Sequence, residues 1–163
     1  MMLGAPTRIE ASHDVSAFSC GYASLDDWLK RRELANQKRG ASRTFVVCDE
    51  NRVVAYYALA AGALASAEAT GKFRRNMPDP IPVAILARLA IDKNYQKQGL
   101  GRALFRDASL RILSAADAIG IRGVLVHAIS EQAASFYRAI GVDSSPANPQ
   151  TLMVTLTDLQ AAL

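Results

Sequence analysis

The stretch from Asn94 to Leu104, NYQKQGLGRAL, sets Gly99 and Gly101 two apart in a basic, glutamine-rich turn that runs into an apolar helical stripe. A buried strand ending at Ile91 or Asp92 and a helix opening near Leu100 would leave the first-turn amides without an intrahelical acceptor. Those amides and the helix dipole favour an anion, and glycine lets a phosphate come close to the backbone. Gln96, Lys97, Gln98, Gly99, Leu100, Gly101 and Arg102 therefore read as a pyrophosphate cradle, with Lys97 and Arg102 supplying positive charge. A bare GxG pair also serves plain turn geometry, and both readings stand at this level. Two commoner nucleotide patterns are absent: GxGxxG would need glycine at Leu104, and no GxxxxGK[ST] occurs.

The other residues with chemical potential are few. Tyr137 sits beside Phe136 on an expected short helix. With an ordinary pKa of about 10 its phenol is protonated at neutral pH and can donate. Taken alone, the two are simply adjacent aromatics, one packing and one half exposed. Cys20 and Cys48 are the only cysteines, and His13 and His127 the only histidines. Their scatter matches neither a metal site nor a disulfide framework, and a reducing cytoplasm fits them best. His127 lies in an apolar strand and reads as a core or packing histidine; His13 takes no role.

The net charge of +4 and the pI near 9.3 are modest, but the basic residues gather in groups. Lys30, Arg31, Arg32, Lys38, Arg39 and Arg43 meet only Glu33 between Trp28 and Arg43, a second group is Lys72, Arg74 and Arg75, and a third is Lys93, Lys97, Arg102 and Arg106. Each group alone reads as a solvated face. Three of them beside candidate functional turns point to a polyanionic partner.

The elements that must position these residues alternate along the chain. At 163 residues, half of them hydrophobic, one domain with a sizeable core is expected over residues 1–163, with no export signal and no membrane span. Thr7 to Glu10 opens as a strand. Ser24 offers an N-cap to a helix whose apolar side is Leu25, Trp28, Leu29 and Ala35, with Arg31 and Lys38 on another side. Arg43 to Cys48 and Arg52 to Leu59 form a hairpin, Gly62 to Pro82 a loop with one short helix, and Val83 to Ile91 a central strand buried on both faces. Leu104, Phe105, Ala108, Ile112, Ala115 and Ile119 make the helical stripe that Gly120 ends. Gly123 to Ile129 is the next strand, Ser130 caps a helix reaching Gly141, and Thr151 to Leu159 closes as a strand. The order predicts an α/β or α+β domain on a mixed sheet.

Gln96 to Gly101 resembles motif A, [RQ]xxGx[GA], of the GCN5-related N-acetyltransferases (GNAT). ILARLAID resembles that family's fourth strand and EQAASFYRAIGV the helix bearing its tyrosine; order and spacing agree over Val83 to Val142. More narrowly, CGYASLDDWLKRRELANQKRGASRTFVV, VVAYYALAAGAL, PVAILARLAIDKNYQKQGLGRALFRDA and SSPANPQTLMVTLTDL resemble the acetyltransferase toxins of bacterial toxin–antitoxin modules. The resemblance implies a GNAT fold: a mixed, mostly antiparallel sheet with splayed central strands, flanked by helices. It implies acetyl-CoA as co-substrate, its pyrophosphate on residues 96–102 and its thioester polarised by the strand amides of Leu89, Ala90 and Ile91. Tyr137 becomes the acid that protonates the departing thiolate. The implied substrate is the α-amine of aminoacyl-tRNA, the effect a block of translation, and the partners a ribbon-helix-helix antitoxin and a second copy in a homodimer, in the bacterial cytoplasm. Arg31, Lys38, Lys72, Arg74, Arg75 and Arg88 become the candidates for tRNA contact, held mainly through phosphates.

One departure stands out: Val142 follows Gly141 where the family carries an aromatic, which would loosen the end of the tyrosine helix. One absence favours the α-amine. The expected fourth strand carries Arg88 and no carboxylate, and the fifth only His127, leaving Glu68 or Asp92 to act through water. A lysine with pKa near 10.4 is neutral in about one molecule in a few thousand at pH 7, whereas an α-amine near 7.7 to 8.0 is neutral in roughly a tenth to a fifth and needs no base. Two other readings compete: an acetyltransferase of small amines or protein N-termini, and a coenzyme A-binding interaction module without turnover.

Overall fold

The computed structural model describes residues 3–31 and 39–163. Among the described residues seven strands are ordered β1-β2-β3-β4-β5-β7-β6: β1 Thr7–Arg8, β2 Arg43–Asp49, β3 Arg52–Leu64, β4 Ile81–Ile91, β5 Gly123–His127, β6 Asp143–Ser144 and β7 Thr151–Thr155. Antiparallel pairing joins β1 to β2, β2 to β3, β5 to β7 and β6 to β7, whereas β4 and β5 are parallel. Among the described residues the helices are α1 Ala23–Arg31, α2 Gly71–Arg74, α3 Leu100–Ala116, α4 Glu131–Ala139 and α5 Leu156–Ala162, with 3-10 turns at Ser66–Glu68 and Lys93–Tyr95. Among the described residues no helix is long and apolar enough to cross a membrane. The chain divides into two compact units, residues 1–60 with 87–108 and residues 61–86 with 109–163.

The first unit is built on the β2–β3 hairpin, whose register runs from Arg43 opposite Leu59 to Asp49 opposite Arg52, with a bulge at Val47 and Cys48. Glu50 turns the corner at φ 58°. Behind the hairpin, Ile9, Phe18, Trp28, Leu29, Val53, Tyr56 and Ala90 form a buried cluster. The Trp28 ring stacks on Tyr56 at 5.8 Å, and the Tyr56 hydroxyl donates to the Leu25 carbonyl at 2.7 Å, so α1 is pinned to β3. α1 starts before Ser24 rather than on it. The Leu25 and Asp26 amides donate to the Tyr22 carbonyl at 3.1 Å, while the Asp26 side chain accepts from the Cys20 amide at 2.9 Å and ties the first turn to the segment before it. Lys38 and Ala35 lie outside the described residues.

In the second unit β5 is central: Val124 pairs with Ala84 of β4 and with Val154 of β7. Leu64, Ala69, Phe73, Ile81, Val83, Leu125 and Met153 make its core. Two glycines are demanded by close approach. A Cβ on Gly123 would lie 2.0 Å from the Val154 carbonyl oxygen, and one on Gly62 2.3 Å from the Ile85 side chain. Gly62, expected to open a loop, therefore lies inside β3, which continues to Leu64 instead of stopping at Leu59.

Other boundaries also move. β4 begins at Ile81, and only Ile81, Val83, Leu86 and Ala90 along it are fully buried, so it is not the strand buried on both faces that its composition predicts. α3 stops at Ala116, leaving Ile119 63% exposed and Gly120 without a capping role. β5 stops at His127, with Ile129 exposed beyond it. β7 stops at Thr155, whose hydroxyl accepts from the Asp158 amide at 3.1 Å and starts α5, because a threonine offered to an amide three residues on is an N-cap. β6, only two residues long, carries no alternation from which it could be read.

Candidate active site

In the first unit β4 delivers Leu89, Ala90 and Ile91 to the turn that precedes α3. Ala90 is buried, and Leu89 and Ile91 are half-buried. Arg88, also half-buried, places its guanidinium 4.5 Å from the centre of the Trp28 ring, a cation–π contact. After Ile91 the chain is bound down residue by residue. The Asp92 amide donates to the Val54 carbonyl at 2.8 Å, and its carboxylate accepts from the Asn94 amide at 3.0 Å and the Ser19 amide at 3.1 Å. The Gln96 side-chain amide donates to the carbonyls of Ile91 at 2.8 Å and Cys20 at 2.9 Å. Tyr95 is buried, and its hydroxyl donates to Asp49 at 2.6 Å while accepting from Arg52 at 2.6 Å.

Lys97 then takes φ 63° and Gly99 φ 79°, and α3 opens at Leu100. A Cβ at Gly99 would touch nothing within 4 Å, so backbone conformation and not crowding calls for glycine there. The first-turn amides of this long helix lack acceptors within it, while Lys97, Gln98 and Arg102 are exposed. A left-handed turn with open space above it, free-standing cations and helix amides is a donor set that suits a diphosphate. One turn along α3, Asp107 accepts from the Tyr57 hydroxyl at 2.5 Å and ties the helix to β3.

In the second unit Ser130 caps α4, its hydroxyl accepting from the Ala133 amide at 3.1 Å. The helix carries Tyr137 into the interior: the residue is 6% exposed and meets Phe136 edge-on at 5.2 Å. Burial pushes its phenol well above the usual range. The expectation of a half-exposed aromatic applies to Phe136 and not to Tyr137. The helix end is not loosened by Val142. That residue is 1% exposed, its amide donates to the Tyr137 carbonyl at 3.0 Å, and Gly141 makes the reversal at φ 97°.

The basic residues divide differently from their clustering in sequence. Arg31 is exposed at the end of α1. Lys72 pairs with Asp158 at 2.5 Å, which holds the Asp158 carboxyl below its usual range, while Arg74 and Arg75 stand exposed. α2 is capped by Thr70 and clamped by Arg122, which donates to the carbonyls of Phe73 at 2.9 Å and Lys72 at 2.8 Å. His127 is exposed, 3.4 Å from the Thr151 hydroxyl, and is not a core residue; it lies at the strand end, where alternation no longer buries side chains. Asp92, one of the two candidate water-mediated bases, has both carboxylate oxygens engaged by backbone amides. Sequence reading missed Arg122 and the Asp49–Tyr95–Arg52 set. Partners 43 and 46 residues apart leave no local signal. Among the described residues no group of three His, Cys, Asp or Glu could hold a metal ion.

Known proteins resemble this chain in sequence and fold. Residues 40–142 match the model of the acetyltransferase (GNAT) domain. A tRNA-acetylating toxin of Mycobacterium tuberculosis is 50% identical over 159 residues, 98% of this chain and 96% of its own. The solved structure of AtaT complexed with acetyl-methionyl-tRNAfMet superposes with a TM-score of 0.89 at 27% identity, covering 98% of each chain. A phenylalanine-for-tyrosine mutant of the toxin AtaT, bound to the C-terminus of the antitoxin AtaR and acetyl-CoA, gives 0.83 at 26%, covering 99% of this chain and 97% of that one. With its strand order, its turn before α3 and its near-full-length kinship, this chain belongs to the GNAT acetyltransferase family.

Proposed function

We propose that this protein is a toxin that transfers acetyl from acetyl-CoA to the α-amine of aminoacyl-tRNA and so blocks translation. The observation that carries the reading is the 50% identity, over 98% of the chain, to a tRNA-acetylating toxin. The site chemistry supports it. Residues 96–102 hold the pyrophosphate through backbone amides, with Lys97 and Arg102 beside it, and the strand amides at Leu89 to Ile91 polarise the thioester carbonyl. The neutral amine attacks that carbon, the C–S bond breaks, and Tyr137 gives its proton to the departing sulfur. The proton lost by the amine passes to solvent, from which the phenolate is restored. A buried phenol with a raised pKa resists ionisation, which keeps the acid loaded at neutral pH.

The exposed cations Arg31, Arg74 and Arg75 are assigned to tRNA phosphates, together with Lys72 and Arg88; Lys38 keeps that assignment although it lies outside the described residues. The single catalytic domain is proposed to span residues 1–163, because β3, β4 and α3 each continue from one unit into the other. A ribbon-helix-helix antitoxin, a homodimer and a bacterial cytoplasmic location complete the reading. An antitoxin partner is supported by the AtaR-bound relative and a bacterial setting by the tRNA-acetylating toxin, while the ribbon-helix-helix type, the homodimer and the cytoplasm rest on the resemblance in sequence. The test follows labelled acetyl from acetyl-CoA into charged tRNA, with deacylated tRNA, polyamines and bulk protein as parallel acceptors. Label on charged tRNA alone is expected. Label on polyamines or protein instead would move the assignment to small amines or N-termini.

A further inference from the structure

We infer that the side chains of Tyr95 and Gln96 set the affinity of the pyrophosphate turn without themselves touching the ligand, coupling it to the β2–β3 hairpin end and to the Ser19–Cys20 segment. The inference rests on the acetyl-CoA reading of that turn. All the groups involved lie in the first unit. The Tyr95 hydroxyl bridges Asp49 and Arg52, each at 2.6 Å, and these two residues face each other across the last rung of the hairpin. The Arg52 guanidinium also lies 5.7 Å from the centre of the Tyr95 ring. Both hydrogen bonds involve an ionised partner, the stronger kind. On the next residue, the Gln96 amide is committed to the carbonyls of Ile91 and Cys20. Its donors therefore tie protein to protein, and its influence reaches the anion through the backbone.

The need for such a frame is visible one residue later. Lys97 takes φ 63°, a region a lysine avoids, and Gly99 follows at φ 79°. Strained backbone of this kind persists only where its surroundings over-determine it. The amides that meet a diphosphate must converge on one point before it arrives, and a turn free to relax would have to be ordered by the ligand at the expense of affinity. Tyr95 and Gln96 immediately precede that strained step and are fixed at their side-chain ends.

The test compares Tyr95→Phe and Asp49→Asn with the parent, using acetyl-CoA and acetyl-pantetheine, which lacks the pyrophosphate. Each variant is expected to raise KM for acetyl-CoA about tenfold, the scale of one weakened hydrogen bond to a charged ligand, with kcat at saturation unchanged. KM for acetyl-pantetheine should be the same in all three proteins. Asp49→Asn, nearly identical in shape, is a second route to the same split should Tyr95→Phe fold poorly. Equal losses with both donors, a fall in kcat alone, or no change with acetyl-CoA would each overturn the inference. A parent enzyme that used both donors equally well would instead refute the pyrophosphate turn itself.

Discussion

A phenol held in a protein interior behaves differently from one in water, and Tyr137 carries the clearest residue-scale expectations. Removing its hydroxyl as Tyr137→Phe should lower kcat by about 10²- to 10⁴-fold, the usual span for a lost general acid, with acetyl-CoA affinity in a calorimeter unchanged. Because burial raises its pKa, its ionisation should not depress kcat below about pH 10. The same shift has a sign for stability. The folded state prefers the neutral phenol, so that contribution is whole below the unfolded pKa of about 10 and is lost as pH rises beyond it. A kcat profile falling with a midpoint near 8 in an otherwise intact protein, with the neutral amine already accounted for, would tell against Tyr137 as the acid. The residue's type and place were legible in the motif, but its burial was not, because Phe136 and Tyr137 compete for the interior and the sequence does not say which turns inward. The bridge from Tyr95 to Asp49 and Arg52 was hidden more completely, since only the folded hairpin brings those positions together.

Elements were read well where side chains repeat and poorly where they change role. The hairpin, the apolar stripe of α3 from Leu104 to Ile112 and the Ser130 cap followed from period and cap chemistry, whereas Ala115 and Ile119, expected on that stripe, are exposed. The failures share a cause: a residue with two meanings. Gly62 punctuates a loop in sequence but makes room for Ile85 in a strand, and Thr155 continues an alternation but caps a helix. These positions give graded predictions by thermal or denaturant unfolding. Gly62→Ala should cost about 1 to 3 kcal/mol, because the end of an isoleucine can shift. Gly123→Ala should cost more, since the obstacle is the Val154 backbone and moving it breaks the ladder between β5 and β7. Thr155→Ala should cost about 1 kcal/mol as a lost N-cap.

The molecule as a whole has little net charge to spend on a polyanion, so placement must do the work. Reversing Arg74 and Arg75 to glutamate should weaken tRNA binding and flatten its dependence on salt, with acetyl-CoA binding untouched; equal losses for both ligands in filter-binding and calorimetry would refute that division. Lys72 alone should matter less, because Asp158 already engages it. The acceptor preference belongs to this scale too: Asp92 has its carboxylate engaged by backbone amides, and an α-amine needs no base, so a peptide α-amine should be acetylated faster than a lysine side chain at neutral pH. The interleaving of the two units has a consequence for how the enzyme is made. The core of the second unit takes Met153 from β7, its last strand, and packs it with Leu125 and Phe73. A ribosome that has not passed Thr155 has therefore released no complete second unit, and Tyr137 waits on a nascent chain without its fold. Under the proposed activity, acetyl transfer therefore begins only once β7 has joined that core, so a nascent chain lacking β7 cannot act.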